Sequence, residues 1–250
     1  MVVVGSTSGE RTLLQAVNLL LNEVGESEIG TVMSPTRRIN NAVSAVSAGR
    51  DECYYRKLWE FRRGYLSLTL VASQMWYELP TDYHEMASFL SRNTNSATIP
   101  FVSFDKLCEM WPEMRIFPPG SGVSGLPAIS QALTQEQNFG TPQYFTVWNG
   151  YIGMMPVPDS TFVADEGLLY ATYWKQAPEL TSDGDDIGLP RNLWGAAHAL
   201  ALAQFKKYLE YADWESDKQD GMRLLSLAVN GGHEAQDADI YHQPGLDYNE

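Results

Sequence analysis

Positive charge is scarce in this chain: 17 lysines and arginines stand against 31 aspartates and glutamates over 250 residues, a formal net charge of −14. Proteins that grip nucleic acid neutralise its phosphates with Lys and Arg, so this balance excludes a dedicated nucleic-acid binder. Cysteine is scarcer still. Cys53 and Cys108 are the only two, without a CxxC or paired-histidine spacing, which excludes a disulfide framework and leaves them as buried or half-buried thiols. Long apolar runs are missing too. Leu13 to Leu21 is broken by Gln15 and Asn18 and falls short of the ~20 residues that cross a bilayer, so no membrane partner is expected. The start, Met1-Val2-Val3-Val4, lacks the basic region and sustained apolar core of a secretion signal, which predicts folding in a cytoplasm.

The residues of catalysis are equally thin. Histidine occurs only at His84, His198, His233 and His242, and no GxSxG, HExxH or GxxxxGK[ST] motif is present. His198 falls in an Ala/Leu-rich segment and reads as a packing or interface residue. Gly120-Ser121-Gly122-Val123-Ser124-Gly125 has the look of a phosphate-cradling loop but lacks its lysine. Asp183, Asp185 and Asp186 carry oxygens for a hard cation, yet Pro190 interrupts the spacing that an EF-hand needs. Seven tryptophans, Trp59, Trp76, Trp111, Trp148, Trp174, Trp194 and Trp214, offer a sugar-stacking platform only if they are not core residues, and most fall at core positions of strands or helices. The expectation is no catalytic residue, no cofactor and no metal.

What is present is a set of well-punctuated elements. Tyr144–Val147 and Tyr151–Met155 flank Trp148-Asn149-Gly150, and Asn-Gly between two β-rich runs marks a hairpin because both residues tolerate positive φ. A third strand, Leu168 to Trp174, is apolar on both faces. Pro178 ends it, the acidic loop Asp183-Gly184-Asp185-Asp186 is too polar to bury, and Pro190 opens a long helix carrying Leu193, Ala196, Ala197, Leu200 and Ala203, then Tyr208 and Tyr211.

Upstream, Thr7-Ser8-Gly9-Glu10 has the form of a capping box. Leu13, Leu14, Val17, Leu20, Leu21 and Val24 then make one helical stripe that Gly25 stops. Ser34-Pro35 starts a second helix whose face Ile39, Ala42, Val43, Val46 runs to Gly49. Arg37, Arg38, Arg50, Arg56, Lys57, Arg62 and Arg63 crowd the same region. They read either as a helix face and following strand that meet an acidic neighbour or as a plain solvated face. Trp59–Phe61 and Tyr65–Val71 read as strands around Arg63-Gly64, Ser73–Leu79 as a further strand, and Thr81 as the cap of a short helix through Phe89. Ile99–Phe104 is a strand candidate with a short helix at Asp105–Met110. Residues 117–141 form a Pro/Gly/Ser-rich segment, long for a loop inside a compact domain. A last amphipathic run, Asp217 to Val229, meets a stop at Asn230-Gly231-Gly232. His233 to Glu250 is polar, acidic and aperiodic, which by itself reads as a frayed tail.

Several of these pieces resemble, in order, the head-to-tail adaptor (connector) family of tailed phages, which includes the tail tubular protein A of short-tailed phages. The likeness is carried by Ala16-Val17-Asn18, Val24-Gly25-Glu26, Trp59-Glu60-Phe61 and Tyr77-Glu78-Leu79-Pro80-Thr81-Asp82-Tyr83. It continues in Gly153-Met154-Met155-Pro156-Val157-Pro158-Asp159, Leu169-Tyr170-Ala171-Thr172-Tyr173-Trp174 and Leu189-Pro190. The resemblance implies an α+β subunit: a helical bundle from residues 1–58 and 190–232, an inserted antiparallel β domain at 59–178, and an extended C-terminal arm at 233–250. It implies a virion neck component, assembled in the host cytoplasm, that forms a dodecameric ring with copies of itself between the portal protein and a tail tube or nozzle protein. Double-stranded DNA would pass through without being held, in keeping with an acidic wall that repels phosphates within a Debye length of about 8 Å. The arm would reach the portal through His233, Tyr241, His242 and Tyr248, and Arg37, Arg38, Arg56, Arg62 and Arg63 would meet a neighbouring subunit. A tail-borne cell-wall glycosidase and a carbohydrate-binding module are the rival readings.

Overall fold

The computed structural model describes residues 11–34, 36–94, 97–111 and 138–240, with side chains through residue 230. Among these lie six α-helices and ten strands, an α+β architecture. The chain divides into a helical unit, Met1–Phe61 with Ala177–Glu250, and a β unit, Arg62–Gln176.

The helical unit starts with α1 (Leu13–Glu23), which buries Leu13, Ala16, Val17, Leu20 and Leu21. Its capping box is Thr12 with Gln15: the Thr12 hydroxyl accepts the Gln15 N–H and the Gln15 side chain accepts the Thr12 N–H. Thr7-Ser8-Gly9-Glu10, predicted for that role, lies outside the described residues. Two N–H groups in the first turn have no partner within the helix. The carbonyls of Asp185 and Asp183 accept them from Leu13 and Leu14 at 2.9 and 3.2 Å. The far end closes as a Schellman motif, with Gly25 at φ 80 and Glu26 N–H donating to the Leu21 carbonyl at 2.9 Å.

Helix α2 (Arg37–Tyr55) is capped by Thr36, whose hydroxyl accepts the Ile39 N–H. It passes through Gly49, where the sequence suggested an end. Gly49 is there for proximity: a Cβ on it would meet the Ala197 carbonyl oxygen at 2.4 Å, so only glycine lets α2 approach the long helix that follows Pro190. That helix, α5 (Arg191–Tyr208), buries Leu193, Ala196, Ala197, Leu200 and Ala203 as its pattern predicted, and Tyr208 stays exposed. The last helix, α6 (Trp214–Ile240), packs on α5, with Gly221 against Leu200. It continues through Asn230-Gly231-Gly232, which is a correction to the predicted stop. Glycine costs a helix about 1 kcal/mol relative to alanine but does not forbid it, and the helix formers Glu234, Ala235 and Gln236 follow after His233.

The β unit holds β1 (Arg63–Thr69), β2 (Trp76–Glu78), β3 (Tyr83–Met86), β4 (Leu90–Arg92), β5 (Thr98–Ile99), α3 (Phe104–Met110), β6 (Phe139–Gly140), β7 (Tyr144–Trp148), β8 (Tyr151–Met155), β9 (Val157–Pro158), α4 (Ser160–Glu166) and β10 (Leu168–Lys175). β10 is the hub of the larger sheet, with β1 on one side and β3 and β4 on the other, and β5 beyond β4. In register, Leu66 faces Ala171 and Leu68 faces Leu169, and this face forms the core with Leu90, Ile99, Phe145 and Ile152. The opposite face carries Tyr65, Ser67 and Thr69 outward, each exposed. The predicted hairpin is β7–β8, turning at Asn149 (φ 48) and Gly150 (φ 82). It builds a second sheet with β2 and does not pair with β10. Pairing is antiparallel throughout these two sheets; β6–β9 is a short parallel pair.

Three local expectations are corrected here. Trp59–Phe61 is not a strand: Glu60–Arg62 is a 3-10 turn, because Trp59 is tied to the Cys53 carbonyl by its indole N–H at 2.9 Å and its ring stacks with Phe61. Thr81–Phe89 is not a helix. Pro80 starts a turn closed by Tyr83 N–H, and residues 83–86 then pair with the C-terminal half of β10, a tertiary demand that overrides local capping. Helix α4 was not foreseen, although Asp159 accepts the Phe162 N–H at 2.7 Å and Gly167 (φ 64) ends it, a capped helix bounded by legible residues. Most of the 117–141 segment, residues 117–137, falls outside the described residues.

Candidate interaction surfaces

The arginines singled out by sequence are dispersed by the fold. Arg37 and Arg38 lie at the start of α2 and Arg56 just past its end, about 27 Å apart along a helix rising 1.5 Å per residue. Arg38 pairs with Glu26, and Arg56 lies 3.9 Å from Glu52. Arg50 is buried, bound to Asp51 and to the Pro178 carbonyl. Arg62 is only 1% exposed and donates twice to the Lys175 carbonyl, at 3.1 and 3.0 Å. Arg63 is exposed at the start of β1, with its guanidinium 5.3 Å from the Trp174 ring centre. His233 lies in α6 at backbone level, and Tyr241, His242 and Tyr248 are outside the described residues.

The acidic loop completes itself and α1. The Asp183 carboxylate accepts the Val32 N–H at 2.6 Å, and Asp186 accepts the Gly188 N–H. Asp185 accepts the Ser182 hydroxyl and the N–H groups of Thr181 and Ser182, which holds its carboxyl at about 2. Among the described residues no group of three or more His, Cys, Asp or Glu is arranged to hold a metal. His198 stands 2.8 Å from Glu23, beside a cavity of about 20 Å³, room for little more than a water. Burial, with Glu52 beside it, pushes the Cys53 thiol up to about 12, far from a reactive thiolate. The ring faces of two half-buried tryptophans carry the chain's own cations: Arg11 and Arg191 over Trp194, Lys207 and Lys218 over Trp214. Such cation–ring contacts give these tryptophans a role within the chain itself. No described helix is long and apolar enough to cross a membrane.

The surface features that sequence reading missed are exposed apolar residues of the β unit. Tyr65 on β1 is 83% exposed, and no described strand lies on the outer side of β1. On the far side of the same sheet, beyond β10, Phe89 and Phe101 border a cavity of about 650 Å³ with Tyr83, Met86 and Val147. Their signal in sequence is faint: an aromatic at an outward position of an alternating strand, and two phenylalanines in connectors. In the helical unit, Tyr55, Leu58 and Phe61 are exposed around the end of α2.

The described residues thus offer exposed apolar surface, and among them no three His, Cys, Asp or Glu side chains gather as a metal site. The model of the SU10 adaptor protein family matches residues 11–243, so the chain belongs to that family and is a phage structural adaptor. None of the curated proteins compared with the chain matches it.

Proposed function

We propose that this chain forms a homo-oligomeric ring, a dodecamer, in the neck of a tailed phage, docked on the portal protein above and a tail tube or nozzle protein below. The observation that carries this reading is the family match over residues 11–243, which spans both units. The charge of the chain agrees with a conduit: a net −14 offers a DNA duplex repulsion at the wall and little to grip. DNA therefore passes without specific binding. Arg37, Arg38, Arg56 and Arg63, all exposed, meet a neighbouring subunit, with Arg62 bracing the β unit from within. Residues 233–250, with His233, Tyr241, His242 and Tyr248, form the arm that reaches the portal. The subunit is made and assembled in the host cytoplasm and acts as a structural part, not as a catalyst.

Electron microscopy of the purified chain mixed with its cognate portal tests the reading. A ring seated coaxially on the portal is expected. Portal particles that stay bare at saturating subunit concentration would remove it.

A further inference from the structure

The outer face of the larger β sheet is uncharged over most of its extent, in a chain with 31 acidic residues. Register puts Ser67, Tyr170, Ser91 and Thr98 in one row across β1, β10, β4 and β5. Tyr65 and Thr172, opposite each other, lie beside that row on the same face, and Thr69 lies on its other side opposite Leu168. Charge enters only at one end, where Arg63 and Glu85 flank Trp174. Among the described residues none of these Ser, Thr and Tyr hydroxyls has a hydrogen-bond partner. Elsewhere the chain uses such groups itself: Thr12, Thr36 and Ser103 accept helix N–H groups, and Thr94 and Ser182 donate to Glu166 and Asp185. Tyr65 is 83% and Tyr170 41% exposed, and as diagonal cross-strand neighbours, about 7–8 Å apart, their rings form one platform. The hydroxyl row runs into the cavity of about 650 Å³ bordered by Phe89 and Phe101, which Ser91 and Thr98 also line.

We propose that this face binds a neutral oligosaccharide, an activity separate from the ring reading above. Sugar hydroxyls both donate and accept, as the Ser, Thr and Tyr hydroxyls do, and a tyrosine ring offers its apolar face to the C–H face of a pyranose. The cavity is of ligand-pocket size and takes one end of the sugar chain. The same face suits other occupants poorly. A standard protein interface is apolar at its centre and buries about 800 Å² per partner; here hydroxyls stand at the centre of a platform about 20 Å long and about 14 Å across. A second copy, at net −14, brings an acidic surface that finds no cation along most of this face. Single-stranded nucleic acid needs a cationic groove beside its stacking rings.

The test is isothermal titration calorimetry of the full chain with neutral hexasaccharides of glucose, mannose, galactose and N-acetylglucosamine. At least one is expected to bind saturably. Tyr65→Ala and Tyr170→Ala, both at exposed positions, are each expected to weaken that binding about tenfold with circular dichroism unchanged. Tyr211→Ala, at an exposed tyrosine of the helical unit, is expected to leave it as it is. Ser67→Ala and Thr98→Ala read the hydroxyl row if a tyrosine variant loses its fold. No saturable heat with any of the sugars, or equal binding by the wild type and the Tyr65 and Tyr170 variants, would overturn the proposal. Sedimentation in which Tyr65→Ala breaks up an oligomer, with sugar binding absent, would make the face a contact between copies instead. Bare portals in the microscope bear on the ring alone and leave this result untouched.

Discussion

Gly49 lies against Ala197 so closely that a Cβ on the glycine would stand 2.4 Å from the alanine's carbonyl oxygen and 2.6 Å from the backbone nitrogen of Ala201. Helices α2 and α5 therefore touch backbone to backbone. In an exposed helix, replacing glycine by alanine gains about 0.5–1 kcal/mol. Here the obstacle is backbone, which cannot swing aside, so Gly49→Ala is expected to destabilise the chain by about 1–3 kcal/mol. Urea unfolding reads the sign directly, and a stabilised variant would refute the close approach.

Arg62 secures the two ends of the β unit to each other. Its guanidinium lies in the interior and gives two donors to the carbonyl of Lys175, the last residue of β10. Hydrogen bonds from charged groups contribute about 1.5–3 kcal/mol, and a lysine ammonium cannot reproduce the planar fork. Arg62→Lys is expected to lose most of that, and Arg62→Met at least as much because the Lys175 carbonyl then loses both donors. Thermal unfolding indistinguishable from the wild type in both would show that the bond contributes nothing.

Asp185 supplies a pH dependence with a definite sign. Its carboxyl is held at about 2 against an ordinary 3.8, first by the Ser182 hydroxyl and then by the N–H groups of Thr181 and Ser182. A depressed folded pKa means stability that is fully present above the unfolded value and is lost as pH falls through the folded one. The stability difference between wild type and Asp185→Asn is thus expected to be constant above pH 3.8 and to shrink toward about pH 2. Denaturant midpoints of both proteins across that window check it; a difference that does not change with pH would contradict the assignment.

Removing residues 241–250 takes away Tyr241, His242 and Tyr248 and leaves α6 whole. Attachment to immobilised portal is expected to weaken while the unfolding curve is unchanged. Wild-type retention on the portal would end the arm reading.

Local punctuation made much of this fold legible before any coordinates. Asn149-Gly150 set the β7–β8 turn, Gly25 the end of α1 and Pro190 the start of α5, because each residue type has a narrow backbone preference that tertiary packing did not need to override. The errors arose where distant parts decide. Residues 83–86 became a strand because β10 offered an edge, and Gly49 marked a helix crossing, not an end. The arginine cluster shows the same limit for the candidate site. Twelve residues apart in the same basic stretch, Arg50 and Arg62 turn inward to carbonyls of Pro178 and Lys175, partners more than a hundred residues away. The exposure of Tyr65, Phe89 and Phe101 was invisible because no local pattern says which outward aromatic will remain uncovered.

The strands that lead into and out of the β unit are partners on one ladder, Arg63 opposite Trp174 and Gly64 opposite Tyr173. An insertion whose two ends leave side by side has the footprint of a single turn. A foreign domain grafted between residues 61 and 177 therefore needs only two ends about 5 Å apart, one strand spacing, to follow the same path of chain.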